Sequence, residues 1–228
     1  MIEVAFVNRK GGPGKTTMAI LAALGLHEKG LKVGAHDQDS EQGTLGNSLY
    51  GSPIVVDPAD PQDLDFLIVD TPPHFSSAWD ATVARADLVV LVTTMYSPEL
   101  IETRNTYERL ASLACTQKTV ILYNKFRANT KSGSRDPRDT TDKVAGPGAV
   151  FFDFVVPFRE VFPNIHTIPW TDLGDGNLPL RRIMQRVLGR DGQDACNAAD
   201  RLAWAITQHF LRLHAQPKGR GINAPPSS

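Results

Sequence analysis

Cysteine is scarce in this sequence, and long apolar runs are missing from it. The two cysteines, Cys115 and Cys196, share neither a CxxC spacing nor the spacing of metal ligands. This argues against a disulfide framework and favours buried thiols in a reducing compartment. No stretch reaches the roughly 18 apolar residues of a membrane span. The first ten residues include Glu3 and only a short apolar run, unlike a signal peptide. We therefore expect a cytoplasmic protein.

A strong net charge is also missing, although the charges are unevenly placed. The 228 residues carry a formal charge of −1. Residues 1–120 hold 9 Lys and Arg against 15 Asp and Glu, whereas residues 121–228 hold 15 against 10. Such asymmetry is typical of a polyanion-binding face, and equally of a solvated surface without a partner.

Short apolar runs alternate with longer segments of helical periodicity. The pattern predicts strands at 2–8, 31–37, 65–73, 86–94, 118–124 and 149–157, and helices at 15–30, near 76–86 and at 97–114. This alternation predicts an α/β fold, doubly wound, with a mostly parallel sheet and helices on both faces. Ligands then bind beyond the carboxyl ends of the strands.

The length is typical of one domain, which we place at residues 1–215. The polar stretch 128–143 is predicted to be a mobile loop. The segment 216–228, rich in Pro, Gly and Ser, has the composition of a disordered tail.

The stretch NRKGGPGKTT, residues 8–17, is close to a phosphate-binding loop, but Arg9 stands where the strict pattern requires glycine. Its glycines allow the backbone N–H groups to surround an anion, and the following helix adds its positive N-terminal end. Lys15 is placed to reach the terminal phosphates, and the Thr16 hydroxyl to bind Mg²⁺. The predicted nucleotide-binding residues of the loop are Lys10, Gly11, Gly12, Pro13, Gly14, Lys15, Thr16 and Thr17.

The KGGxGKTT form resembles the deviant Walker A loop of the ParA/MinD family of P-loop ATPases, and the chain resembles that family over most of its length. The resemblance implies ATP and Mg²⁺ as cofactors, ATP hydrolysis to ADP and phosphate, and an ATP-dependent homodimer. It also explains the second lysine. Lys10 would reach across the dimer to the nucleotide of the partner subunit, while Lys15 would act on the nucleotide of its own subunit.

Two carboxylates match further family motifs. In HDQDSEQG, Asp39 lies 24 residues after Lys15, which is the family's spacing for the carboxylate that positions the attacking water. Ser40 replaces the usual proline, a departure that affects the switch region, and Asp37 is predicted to cap the strand end. In LIVDTPP, Asp70 follows four apolar residues as in a Walker B strand, and we expect it to bind Mg²⁺ through water. Residues 71–73 would sense the γ-phosphate.

The base-binding side is carried over from the family as well. Asn124 in ILYNK would contact the base, with a turn-forming asparagine as the alternative. Pro157 and Phe158 in VVPF would line the base pocket through their backbone. ATP rather than GTP is implied by the resemblance, and NKFR lacks the aspartate of the guanine-reading NKxD pattern.

A basic segment, LRRIMQRVLGR (180–190), suggests a DNA-binding face. Steps of four place Arg182, Arg186 and Arg190 on one side of a helix, as suits sequence-independent phosphate contacts. The candidate DNA-binding residues are Arg181, Arg182, Arg186, Arg190, Lys218 and Arg220. A solvated basic face is the alternative.

Three functions remain open from the sequence. The first, which we favour, is a short ParA-type partition ATPase without an N-terminal helix-turn-helix domain. It would bind non-specific double-stranded DNA on the nucleoid and position plasmid, chromosome or other cargo with a ParB-like or other adaptor that stimulates hydrolysis. The second is MinD-like membrane cycling, which we do not expect, because the helix predicted at 199–216 has few lysines and is expected to pack on the domain. The third is a metabolic ATP-dependent enzyme that shares the loop.

Overall fold

The strands of the protein form a single parallel sheet. The computed structural model describes residues 1–39, 43–127, 136–157, 161–173, 178–189 and 192–215. In chain order the strands are β1 (Ile2–Val7), β2 (Val33–Asp37), β3 (Val55–Val56), β4 (Phe66–Asp70), β5 (Leu88–Thr93), β6 (Thr119–Phe126) and β7 (Val150–Pro157). Their order in the sheet is β3-β2-β4-β1-β5-β6-β7, and all six neighbouring pairs are parallel. The predicted α/β fold is confirmed.

Helices cover both faces of this sheet. The described helices are α1 (Lys15–Glu28), α2 (Thr44–Leu49), α3 (Ser77–Arg85), α4 (Ser97–Ser112), α5 (Pro137–Ala145), α6 (Val161–Asn164), α7 (Leu180–Leu188) and α8 (Gly192–Ala215). Alternate residues of β1 face opposite cores: Val4 and Phe6 lie with α1, α2, α7 and α8, whereas Ala5 and Val7 lie with α3 and α4. Burial on both faces is why the central strands are continuous apolar runs.

The predicted mobile loop at 128–143 is wrong for its second half, which forms α5. The Asp136 carboxylate caps this helix by accepting a hydrogen bond from the Arg138 N–H at 2.7 Å, and Pro137 occupies the first turn. Thr140 and Thr141 are buried. A sequence this polar gives a weak apolar period, so the cap was the signal that could have revealed the helix. Residues 128–135 lie outside the described residues.

One strand boundary and two short elements also differ from the sequence prediction. β4 ends at Asp70 rather than continuing to residue 73, because Pro72 and Pro73 have no N–H to donate to a neighbouring strand. The short elements α2 and β3 were not predicted.

The predicted closing helix corresponds to α8. Its residues Leu202 and Ile206 are fully buried, and α8 packs closely along α1. A Cβ atom at Gly25 of α1 would collide with the carbonyl of Ala199, so only glycine permits this approach. Helix α1, which begins at the phosphate loop, is therefore supported by α8.

Within the described ranges, no helix is long and apolar enough to cross a membrane. The predicted tail 216–228 lies outside these ranges.

Candidate functional site

The carboxyl ends of β1, β2, β4 and β6 surround one open cavity of about 370 Å³. The phosphate loop follows β1, Asp39 follows β2, Asp70 ends β4, and Asn124 lies near the end of β6. The residues lining the cavity are Gly11, Gly12, Gly14, Lys15, Thr16, Thr17, Asp39, Thr44, Pro73, Asn124, Lys125, Phe162 and His166. Most of the sequence-predicted nucleotide residues are thus brought together.

The phosphate loop is held in place by residues of β6. Gly14 has a φ of +95°, a left-handed conformation that favours glycine, and a Cβ there would strike the Asn124 amide. Asn124 donates from Nδ2 to the Pro13 carbonyl at 2.7 Å, and Lys125 donates from Nζ to the Gly12 carbonyl at 2.5 Å. Side chains of β6 thus bind two carbonyls of the loop.

Lys15 is the first residue of α1 and lies at the base of the cavity. It is only 7% exposed. Burial lowers the pKa of its ammonium group, and the nearby carboxylates of Asp70 and Asp39 oppose that shift. A cation so poorly solvated gains from a phosphate anion in the same cavity.

Thr16 and Asp70 form the candidate metal site. The Thr16 hydroxyl donates to Asp70 Oδ2 at 2.5 Å. Asp70 is 1% exposed, and its Oδ1 has no hydrogen-bond partner among the described residues. A buried carboxylate oxygen without a partner beside a hydroxyl is the oxygen donor set that Mg²⁺ prefers, so the residues fit this ion.

The Asp70 carboxyl has a displaced pKa. Burial raises it to about 7, against opposing contributions from the Thr16 hydrogen bond and Lys15. The folded state therefore holds this proton more tightly than the unfolded chain does. Without metal, the contribution of Asp70 to folding stability is fully present below about pH 4, declines as pH rises towards 7 and is lost above it.

We predict that Mg²⁺ binding weakens about tenfold for each pH unit below 7, since the metal must displace the Asp70 proton. The measurement is a Mg²⁺ titration of the nucleotide-bound protein at several pH values between 5.5 and 8.5. The shift in melting temperature reports Mg²⁺ binding. Asp70→Asn is the matched control, since it keeps the shape and removes the titration. An equally steep pH dependence in that variant would place the titrating group elsewhere.

Asp37 and Asp39 have different surroundings. Asp37 accepts hydrogen bonds from the N–H groups of Asp39 at 3.1 Å and Gly46 at 3.0 Å, so it ties the end of β2 to α2, in line with the predicted capping role. Asp39 lines the cavity. Ser40, where the sequence departs from the family pattern, lies outside the described residues.

Lys10 does not line the cavity of its own chain. Its Nζ lies 3.7 Å from Glu99 Oε1, and its side chain is 38% exposed. Its backbone N–H donates to Asn8 Oδ1 at 3.0 Å. Lys10, which the sequence predicts to act on the nucleotide of a partner subunit, therefore lies on the surface beside the site. Lys15 lies inside the site.

The base-binding predictions have mixed placements. Asn124 lines the cavity, but its carbonyl oxygen accepts from the Lys125 N–H at 2.8 Å and its amide nitrogen binds Pro13. Pro157 is the last residue of β7 and is not among the residues lining the cavity, and Phe158 lies outside the described residues. Contact between these three residues and a base stays a prediction.

Sequence reasoning missed four residues of the cavity wall: Thr44, Lys125, Phe162 and His166. Lys125 adjoins the predicted Asn124, so its position was the available signal. Phe162 and His166 follow β7 in a segment without a motif, and nothing in the sequence marks them.

The basic segment forms α7 as predicted. Arg181, Arg182 and Arg186 are exposed, whereas Ile183 and Met184 are buried in the core. Arg181 donates to Gln193 Oε1 at 3.3 Å. Arg190, Lys218 and Arg220 lie outside the described residues.

Residues 2–50 match a protein-family model described as ATPase MipZ. No curated protein matches the chain.

Several solved structures are similar to this one. The MinD cell division protein of Aquifex aeolicus has 14% identity and a TM-score of 0.68, with 91% of this chain and 98% of that chain covered. The septum site-determining protein MinD of Pyrococcus horikoshii, complexed with Mg-ADP, has 17% identity and a TM-score of 0.67 over 90% and 95% of the two chains. A Borrelia burgdorferi B31 protein named for plasmid partition, bound to AMPPNP, has 12% identity and a TM-score of 0.64 over 91% and 98%.

These comparisons confirm the resemblance to the ParA/MinD family of deviant Walker A ATPases that the sequence predicted. At such low identity the structural matches establish the fold, and the family-model match covers the phosphate loop and the Asp39 segment.

Proposed function

We propose that this protein is a positioning ATPase that resembles ParA and MinD, and that it binds ATP with Mg²⁺ in the cavity between β1, β2, β4 and β6. The observation that carries this proposal is the grouping of the buried Lys15 and Asp70 with the Thr16 hydroxyl at the carboxyl edge of the sheet. A buried cation that lines the cavity, and an unpartnered carboxylate oxygen on the Asp70 side chain that Thr16 contacts, suit a nucleoside triphosphate with its metal.

Each part of the site has a distinct task in this proposal. The loop N–H groups and the start of α1 bind phosphate oxygens, and Lys15 neutralises charge as it develops on the transferred phosphoryl group. Thr16 and Asp70 hold Mg²⁺, which adds positive charge at the phosphates. Asp39 orients the attacking water through its carboxylate, and Lys10 acts on the nucleotide of the partner subunit in a face-to-face homodimer.

Lys10→Ala is predicted to leave ATP binding by the monomer unchanged and to weaken the ATP-dependent dimer at least about tenfold, because a charge-assisted contact across the interface is lost. Dimer formation would be measured by multi-angle light scattering with ATP and Mg²⁺. Both proteins, with and without Lys10→Ala, would also carry Asp39→Ala. Arg9→Ala is the neighbouring control, since Arg9 is paired with Glu102. A normal dimer in the Lys10 variant would remove the trans-lysine role.

We further propose that the ATP-bound dimer binds non-specific double-stranded DNA through α7, and that an adaptor protein stimulates hydrolysis and release. The support is the exposed Arg181, Arg182 and Arg186 opposite the buried side of the helix. The test is binding to random-sequence duplex DNA with ATP, with ADP and without nucleotide, across a salt series. Binding with ATP alone, falling steeply with salt, is the expected result.

Arg186→Glu is expected to weaken this DNA binding across all sequences and to reduce the slope of log affinity against log salt by about one. Lys32→Glu is the matched control, because it reverses the charge of an exposed residue just before β2. Equal losses in both variants would point to net charge rather than to α7. No DNA binding in any nucleotide state would reject the DNA-tracking function.

Membrane cycling of the MinD type is the second candidate, and one observation favours it. Trp204 and Leu211 of α8 lie two helical turns apart and are 53% and 52% exposed. An exposed apolar pair on one helix face suits the boundary of a lipid headgroup layer. Flotation with anionic vesicles, with and without ATP, separates this function from DNA binding. A metabolic ATP-dependent enzyme would bind neither DNA nor the vesicles.

A further inference from the structure

His166 bridges the phosphate loop and helix α2. Its Nε2 lies 3.0 Å from the Thr17 hydroxyl, and its Nδ1 lies 2.9 Å from the Ser48 hydroxyl. Thr17 lies in the first turn of α1, at the end of the loop sequence 8–17, and Ser48 belongs to α2. His166 also lines the cavity. One imidazole ring thus connects the nucleotide site with the helix that follows the Asp39 segment.

The direction of these hydrogen bonds follows from proton counting. Ser48 donates its one hydroxyl proton to the Thr44 carbonyl at 2.5 Å, so it accepts from His166 Nδ1–H. A neutral imidazole with a proton on Nδ1 has a lone pair on Nε2, and that nitrogen accepts from the Thr17 hydroxyl. Burial lowers the pKa of His166, which keeps the ring neutral. The chain of donors therefore runs from Thr17 through His166 and Ser48 to Thr44.

A phosphate oxygen beside the loop would reverse this chain. Phosphate only accepts hydrogen bonds at its anionic oxygens, so the Thr17 proton would turn towards it. Thr17 would then accept from His166, which requires the proton on Nε2. Nδ1 would in turn accept from Ser48, and Ser48 would release the Thr44 carbonyl. The imidazole exchanges one proton with water and gains none, so the ring stays neutral.

Helix α2 is well placed to receive such a change. It is tied to the end of β2 through the bond from the Gly46 N–H to Asp37, and the Asp39 carbonyl accepts from the Gly43 N–H at 2.8 Å. The Trp170 Nε1–H donates to the Ser48 carbonyl at 2.7 Å, which holds α2 against the segment that carries His166. Movement in the first turn of α2 would therefore reach Asp39.

We propose that His166 is a positioning residue that transmits occupancy of the phosphate site from Thr17 to helix α2, and thereby to Asp39. This inference rests on the proposed nucleotide site. It adds a residue that no motif marks and a route between the phosphate loop and the catalytic carboxylate.

The test combines AMPPNP affinity with hydrogen exchange of residues 44–49 in the full chain, measured with Mg²⁺. In the wild type, AMPPNP is expected to change the exchange rate of this segment at least about threefold. Ser48→Ala, which cuts the bridge on the α2 side, is expected to lose that change and to keep the affinity within about threefold. His166→Ala is expected to lose the change and to bind AMPPNP about three- to tenfold more weakly, the effect of one hydrogen bond.

Two further variants separate transmission from a structural effect. His166→Gln can place its amide NH₂ near the former imidazole Nε2, where it donates to the Thr17 hydroxyl once phosphate is bound, so it is expected to restore affinity but not the exchange response of α2. Thr207→Ala removes a hydroxyl that also donates to a carbonyl four residues earlier, in α8, and is expected to change neither readout. Melting temperatures identify any variant that fails to fold, and Ser48→Ala then decides alone.

The full exchange response in Ser48→Ala, or no response in a wild type that binds AMPPNP, would overturn the role of His166 and leave the nucleotide site intact. A wild type that binds no nucleotide, like Lys15→Ala, would overturn the proposed function, and the His166 inference with it.

Discussion

Lys15→Ala is expected to abolish ATP binding, with a loss of affinity of at least about 100-fold, or about 3 kcal/mol. The ammonium group is 7% exposed, and its nearest charged groups are the carboxylates of Asp70 and Asp39. Without it, two acidic groups would face the phosphates with only the loop N–H groups and the metal to offset them. Isothermal titration with ATP and Mg²⁺ measures the effect.

The matched control for this change is Lys29→Ala, which removes a lysine just beyond the other end of α1. Lys29 forms an exposed ion pair with Asp200. Exposed pairs of this kind contribute about 1 kcal/mol or less, so ATP affinity should remain at the wild-type value. Ordinary affinity in Lys15→Ala would show that the loop is not the phosphate site.

Asp39→Ala is expected to bind ATP normally and to hydrolyse it about 100-fold more slowly, the usual effect of removing a group that handles the proton of the attacking water. Because hydrolysis would no longer dissolve the dimer, the variant should accumulate as a dimer with ATP. Phosphate release in single-turnover experiments, together with light scattering, measures both effects.

Asp63→Ala removes a surface carboxylate on the 3₁₀ turn Pro61–Asp63 and serves as the control, with wild-type turnover expected. Unchanged turnover in Asp39→Ala would mean that the replacement of the family proline by Ser40 accompanies a different catalytic group. The two results together separate binding of ATP from its hydrolysis.

The sequence predicted the sheet because its strands are buried on both faces and their apolar runs are uninterrupted. It predicted Lys15, Thr16 and Asp70 because each lies within a motif or at a strand end. It did not predict α5, whose buried Thr140 and Thr141 carry little apolar signal. Nor did it predict His166, since that residue reaches Thr17 across 149 positions of chain. Contacts of this range depend on how the elements pack, which local patterns do not encode.

Asn124 shows how a motif can locate a residue without describing its contacts. Its position at the cavity was predicted. Its bond to the Pro13 carbonyl depends on the missing Cβ of Gly14, which leaves room for the amide nitrogen. The same side chain therefore supports the phosphate loop, whether or not it also contacts a base.

The packing of α1 against α8 has a consequence for synthesis of the chain. The ribosome makes β1 and α1 before α8, and the surface that covers Gly25 and its neighbours belongs to Ala199, Leu202 and Ala203 of α8. During translation α1 therefore lacks its partner until α8 has left the exit tunnel. A chain in which α8 has not yet been made, or has been removed, would display this apolar surface of α1 to chaperones.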